Sequence, residues 1–194
     1  MSQPDLSPPF CLETERLLLR DFIEEDWAAI HALSREASVT AFQSWLRLDD
    51  EEAARRWVGG TIFHNGLRPR HAYNLAVSLK ASGQVIGWLG WGKPSRQELG
   101  DLDFGYGLSP AFWGQGLMSE ALAAAVDFMF RVQKAEVVFG ECDSVNIASA
   151  RVMEKAGLRL VAEWNEVDEE SGATVKMQRY AATRSKFLGD GSFL

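Results

Sequence analysis

A chain of 194 residues with 46% hydrophobic content is long enough for one well-packed domain and short for two, so a single domain over residues 12–194 behind a loose arm of residues 1–11 is expected. A formal net charge of -7 argues against a general nucleic-acid binder, which needs a basic stripe to displace counterions. No apolar run approaches membrane-span length, Met1–Pro9 lacks a positively charged n-region, and Cys11 and Cys142 are too few and too far apart for a disulfide framework or a metal site, so a cytoplasmic protein with no metal and no membrane contact is expected.

After the arm, Leu12–Phe22 reads as a strand, with Leu17 and Leu19 alternating against charged neighbours. Trp27, Ile30, His31 and Leu33 then mark a first helix behind Glu24-Glu25-Asp26, and Asp49 to about His64 a second helix opened by carboxylates. The stretch Ala37–Leu48 between them is irregular, and its Phe42, Trp45 and Leu46 are too apolar for a solvated loop. Residues 71–80 and 84–92 flank Ala81-Ser82-Gly83-Gln84 as a hairpin, followed by a strand from about Glu98 to Leu108. A long helix follows, its apolar band made by Leu117, Ala121, Ala125, Phe128 and Val132 beside Met118, Leu122 and Met129. Glu136–Cys142 is a buried-type strand, Asn146–Ala156 a short helix closed by Gly157, and two last strands flank a turn at Glu166–Gly172. This order predicts an α/β fold with a mixed sheet of about seven strands flanked by helices.

The most informative run is Asp103 to Ala121, which reads as strand, glycine turn and first helical turn. Gly114-Gln115-Gly116 lets backbone N–H groups approach a ligand, and the unsatisfied donors opening the helix add partial positive charge, which suits a pyrophosphate. No Lys-Ser/Thr pair follows the glycines as in a P-loop, and no third glycine completes a dinucleotide fingerprint. A different phosphate ligand is needed.

Gly105-Tyr106-Gly107-Leu108-Ser109-Pro110, Trp113-Gly114-Gln115-Gly116 and Glu120-Ala121 together resemble the acetyl-coenzyme A motif of the GNAT N-acetyltransferase superfamily. Asn146–Leu158 resembles that superfamily's Asn-x-x-Ser helix with its Glu-Lys-x-Gly exit, and Thr14–Arg20 its first strand. The three motifs occur in order over residues 14 to 180, and the Trp-Gly-x-Gly version is similar to the branch of ribosomal-protein N-terminal acetyltransferases. Two positions depart from the usual loop: Trp113 stands for Arg or Gln, and Met118 is bulkier than the usual Gly or Ala. The resemblance implies a mostly antiparallel GNAT sheet and acetyl-CoA as cosubstrate, held by Leu108, Gly114, Gln115, Gly116, Leu117, Met118 and Ser119 together with Asn146 and Ser149. It also implies that the Leu102–Leu108 strand splays from the Val137–Cys142 strand, and that Ala37–Leu48 helps wall the acceptor site.

Acetyl transfer to an amine needs a neutral amine, donors for the developing oxyanion and a proton for the departing thiolate. Gly105 and Gly107 inside a strand mark a bulge or a close backbone approach. Asp103, where the resembling branch often carries a carboxylate, is the first candidate base, acting through water, with Asp101 and Glu141 as rivals. An α-amino group, with a reference pKa of about 7.7 to 8.0, needs less help to lose its proton than a lysine at about 10.4. Asn146 serves equally well as an ordinary helix N-cap, while the resemblance places it on coenzyme A and makes Ser149 a candidate proton donor, with Tyr106 as runner-up. Cys142 has no histidine near it in sequence, which favours direct transfer over an acetyl-cysteine intermediate. Glu163, Glu166, Asp168, Glu169 and Glu170 suit either an amine-binding surface or a solvated hairpin tip.

These readings point to an N-acetyltransferase acting on an amine-bearing peptide or protein N-terminus. A small-molecule amine such as a polyamine, amino acid or aminoglycoside-like compound is the rival acceptor, and a non-catalytic coenzyme A-binding module the rival outside enzymes. The sequence does not fix an oligomeric state, and an exposed apolar surface would suit a homodimer.

Overall fold

The computed structural model describes residues 9–94, 101–168 and 172–189. The first part of the chain forms β1 (Cys11–Glu13), β2 (Leu17–Asp21), α1 (Trp27–Ser34), α2 (Ala37–Thr40), α3 (Glu51–Asn65), β3 (Ala72–Leu79), β4 (Val85–Gly92) and β5 (Leu102–Leu108). Then come α4 (Leu117–Arg131), β6 (Val137–Asp143), α5 (Ile147–Lys155), β7 (Arg159–Val167), β8 (Thr174–Thr183) and α6 (Arg184–Leu188). Short 3-10 turns lie at Glu24–Asp26, Ser44–Leu46 and Pro110–Phe112. The eight strands form one mixed, mostly antiparallel sheet in the order β1-β2-β3-β4-β5-β6-β8-β7, with β5 and β6 parallel.

The eighth strand comes from the segment Leu12–Phe22, which reads as one strand in the sequence and folds as two. Thr14 makes the corner: its N–H donates to the Leu17 carbonyl and its hydroxyl accepts from the Leu17 N–H, at 3.0 and 2.9 Å. Local side-chain bonding of this kind competes with strand continuation. Phe10 and Cys11 belong to the ordered structure, because the Phe10 N–H donates to Asp21 Oδ2 and Cys11 pairs with Arg20. Residues 1–8 of the expected arm and Glu98 of the expected fourth strand lie outside the described residues.

The chain divides into two compact units, Met1–Trp91 with Tyr106–Trp113, and Gly92–Gly105 with Gly114–Leu194. In the first unit the core gathers Ile30 and Leu33 of α1, Val58 of α3, Ala76 of β3, Trp88 of β4 and Leu46 from the irregular stretch. Asp50 caps α3 by accepting from the Ala53 N–H at 2.7 Å, which is the role expected of the carboxylates there. Asp26 is buried against Arg20, whose guanidinium donates twice to it at 2.6 and 2.9 Å. Burial alone would work against the Arg20 charge, but the hydrogen bond to Asp26 outweighs it and raises the pKa.

In the second unit α4 buries Leu117, Met118, Ala121, Leu122, Ala125 and Met129, as expected from its spacing. Further along, however, Val126 and Phe130 take the inward positions, while Phe128 is only half-buried and Val132, just past the helix end, is exposed. Val138 and Phe139 of β6, Met153 of α5 and Leu158 are buried with less than a twentieth of their surface exposed. Among the described residues no helix is long and apolar enough to cross a membrane.

Candidate active site

Gly114 and Gly116 both adopt left-handed backbone, at φ 76° and 75°. Gly116 is the N-cap of α4, and no side chain caps the helix there. Helix geometry leaves the N–H groups of the first turn without intrahelical acceptors, and they carry the positive end of the macrodipole. Space around Gly114 is open: a β-carbon built there would meet nothing within 4 Å. Gln115 is exposed, whereas Leu117 and Met118 are buried at 3% and 4% exposure. The extra bulk of Met118 is therefore buried with the apolar band of α4. A pyrophosphate fits the chemistry of this turn.

In the first unit, Trp113 does structural work that its place in the motif did not announce. Its indole N–H donates to the Leu108 carbonyl at 2.8 Å, closing the Pro110–Phe112 turn, while the residue remains 45% exposed. The Tyr106 carbonyl accepts from Gln43 Nε2 at 2.7 Å. Gly107 is a close approach, as a glycine inside a strand suggests: a β-carbon there would lie 2.5 Å from Trp88 Nε1 and 3.3 Å from Gln43 Oε1. Sequence reasoning flagged Gly107 but missed Gln43, since a glycine announces that something comes near without saying what.

In the second unit, the parallel pairing of β5 with β6 joins Leu102 to Val138 and Asp103 to Phe139. Desolvation raises the Asp103 pKa above its ordinary value; its own backbone N–H opposes this and the Glu141 carboxylate adds to it. The two rival carboxylates have structural partners. Asp101 accepts from the backbone N–H groups of Glu136 and Val137 at the start of β6, and Glu141 is held by Arg179 at 2.6 Å. A desolvated carboxylate of raised pKa is better matched to proton transfer near neutral pH than an ion-paired one.

Asn146 caps α5, its side-chain oxygen accepting from the Ser149 N–H at 3.1 Å, so the ordinary capping role is real. The Ser149 side chain hydrogen-bonds the Cys142 thiol, yet burial dominates and pushes that thiol up to about 11. Cys142 is 7% exposed and stays protonated near neutral pH, which makes it a poor nucleophile.

A model of the Acetyltransferase (GNAT) domain matches residues 16–159 of this sequence, well over half of the chain. The chain belongs to the GNAT acetyltransferase family. Among curated relatives of this GNAT protein, an uncharacterized N-acetyltransferase, YnaD of Bacillus subtilis (strain 168), is 26% identical over 148 residues, covering 76% of this chain and 82% of its own. A GNAT-family acetyltransferase from Bacillus anthracis superposes with a TM-score of 0.80 at 23% identity, covering 91% of this chain and 99% of its own. RimL, a ribosomal L7/L12 alpha-N-protein acetyltransferase solved in complex with coenzyme A, gives 0.76 at 21% identity, covering 90% and 98%. At these identities the structures establish a shared fold, and the family makes this GNAT chain an acyltransferase.

Several of the acidic residues that this GNAT chain carries toward its last hairpin are occupied. Glu163 accepts from Gln178 and pairs with Lys176, at 2.8 and 3.0 Å, and both lower its pKa, the Gln178 hydrogen bond most. Glu166 accepts from the Trp164 indole at 2.9 Å. Glu169 and Glu170 lie outside the described residues. Among the described residues no group of three or more His, Cys, Asp or Glu side chains is placed to hold a metal ion.

Proposed function

We propose that this GNAT chain transfers an acetyl group from acetyl-CoA directly to a primary amine, the α-amino group of a peptide or protein N-terminus. The observation that carries the donor is the opening of α4 at Gly114-Gln115-Gly116, whose two glycines are left-handed and whose helix start no side chain caps, a ready-made seat for a pyrophosphate. RimL, solved with coenzyme A, and the acetyltransferase MccE, solved with acetyl-CoA and AMP, support the same donor. In this reading the turn from Gly114 to Ser119 holds the phosphates, and Asn146 and Ser149 contribute further contacts. Residues 12–194 act as one acetyltransferase domain. Two free cysteines, Cys11 and Cys142, are at home in a reducing cytoplasm.

The chemistry assigned to the residues is a proton balance. The amine nitrogen forms a bond to the acetyl carbon as the carbon–sulfur bond breaks. Asp103 takes the amine proton through water, and Ser149 returns a proton to the departing sulfur. The raised pKa of Asp103 supports the first role, because a carboxylate nearer neutrality accepts a proton more readily. The protonated state of Cys142 supports direct transfer over an acetyl-cysteine.

Thermal unfolding with acetyl-CoA, free coenzyme A and a dinucleotide control tests the donor, because a ligand bound only by the native state raises the midpoint. A rise confined to the two coenzyme A species is expected, followed by free-thiol release when an amine acceptor is added. No rise at saturating acetyl-CoA would overturn the reading.

A further inference from the structure

Two buried polar atoms in the first unit have no hydrogen-bond partner among the described residues and share one location: Trp88 Nε1 and Gln43 Oε1. Both face the point where a β-carbon on Gly107 would stand, 2.5 and 3.3 Å away. Leaving a donor and an acceptor buried without partners is unfavourable, and folded proteins rarely tolerate it without a reason. Trp88 is 6% exposed on β4, so its N–H cannot turn to solvent.

Gln43 explains what is missing. Its Nε2 donates to the Tyr106 carbonyl at 2.7 Å, so a primary carboxamide presents to β5 what a peptide N–H would present. The residue sits between α2 and the Ser44–Leu46 turn, flanked in this short segment by exposed Phe42 and Trp45, and the Trp45 ring meets Trp88 edge to face at 5.3 Å. Phe42 and Trp45 leave this part of the segment open to solvent, while Leu46 anchors its end in the core.

We infer that Gln43 is a displaceable stand-in for the acceptor's first peptide group, which takes its place over Gly107, donating its N–H to the Tyr106 carbonyl and accepting from Trp88 Nε1. The inference rests on the acetyl-transfer reading and narrows the acceptor to an amine followed by a peptide bond. A peptide group donates and accepts at once and satisfies both ends. A polyamine at neutral pH only donates, and would leave the Trp88 N–H unpaired. The exposed face of Trp45 then offers apolar surface to the acceptor's side chain.

The test compares a short peptide amide bearing a free α-amino group with spermidine, following free coenzyme A release by the wild type and by Trp88→Phe, which removes the indole N–H and keeps an aromatic ring. The wild type is expected to favour the peptide, and the ratio of kcat/KM for peptide over spermidine is expected to fall roughly tenfold in Trp88→Phe, the effect of one lost hydrogen bond to a buried partner. In parallel, the indole ¹⁵N–¹H resonance missing from Trp88→Phe is expected to shift when the peptide is added to wild-type protein saturated with coenzyme A, and not when spermidine is added. An unchanged ratio together with an unmoved resonance would overturn the inference, as would turnover of spermidine without turnover of the peptide, while acetyl transfer itself would stand. Failure of every amine to release coenzyme A, with no shift of the indole, would instead overturn the acetyl-transfer reading beneath it.

Discussion

The ring of Phe104 on β5 lies directly over Gly140 on β6, so close that a β-carbon on Gly140 would stand 2.5 Å from Phe104 Cε2 and 3.2 Å from Met153 Sδ. The two strands and α5 meet at this point in the second unit, and only a hydrogen fits between them. Gly140→Ala is expected to destabilise the protein by about 1 to 3 kcal/mol, the usual effect of forcing a methyl group into a packed site. Chemical denaturation would show it as a lower midpoint with an unchanged slope.

Gly116 combines a positive φ with the place where the phosphates are proposed to sit. Gly116→Glu adds a negative charge and a side chain to that place, and is expected to abolish binding of coenzyme A in isothermal titration. Gly116→Ala separates the two effects. It is expected to destabilise by about 1 to 2 kcal/mol through the left-handed backbone, and to weaken binding without eliminating it.

Asp103→Asn is expected to spare coenzyme A binding and to lower kcat by roughly a hundredfold, within the range of a lost general base. The wild-type rate should fall as pH drops through the Asp103 titration, since only the ionised form accepts a proton. That acid limb should be missing in the variant. The folded-state pKa is raised, so ionisation of Asp103 works against the fold. Asp103→Asn should therefore be no less stable than wild type near neutral pH, with any gain disappearing once the pH falls below the ordinary carboxylate range, where both states are neutral.

The two thiols should separate cleanly. Cys11 is exposed and Cys142 buried with its pKa pushed up to about 11, so an aromatic disulfide reagent near neutral pH is expected to titrate one thiol quickly and the second only on unfolding. A raised thiol pKa favours the fold below the unfolded value of about 8.5. That contribution is lost as pH rises toward 11, and alkaline melting should show the decline. Rapid reaction of both thiols in the native protein would contradict the burial of Cys142.

The positions that carry local rules were legible in the chain itself. Helical spacing at Leu117, Ala121 and Ala125 marked a buried face of α4, the carboxylates from Asp49 and the Asn146 side chain announced helix starts, and two glycines on either side of Gln115 announced the turn, because capping and backbone freedom depend on residues next to each other in sequence. The corner at Thr14 was not legible, since a threonine inside an alternating run reads equally well as strand. In the sequence Asp103 stands ahead of Asp101 and Glu141 on the resemblance alone, since the three are chemically alike. The tertiary structure separated them by giving Asp101 two backbone donors and Glu141 an arginine, while desolvation acted on Asp103. It also brought Gln43 to Tyr106 across 63 positions and turned Met118 inward. Hydrogen bonding and burial at these residues are set by which distant segments pack together, and that is information a linear pattern does not contain.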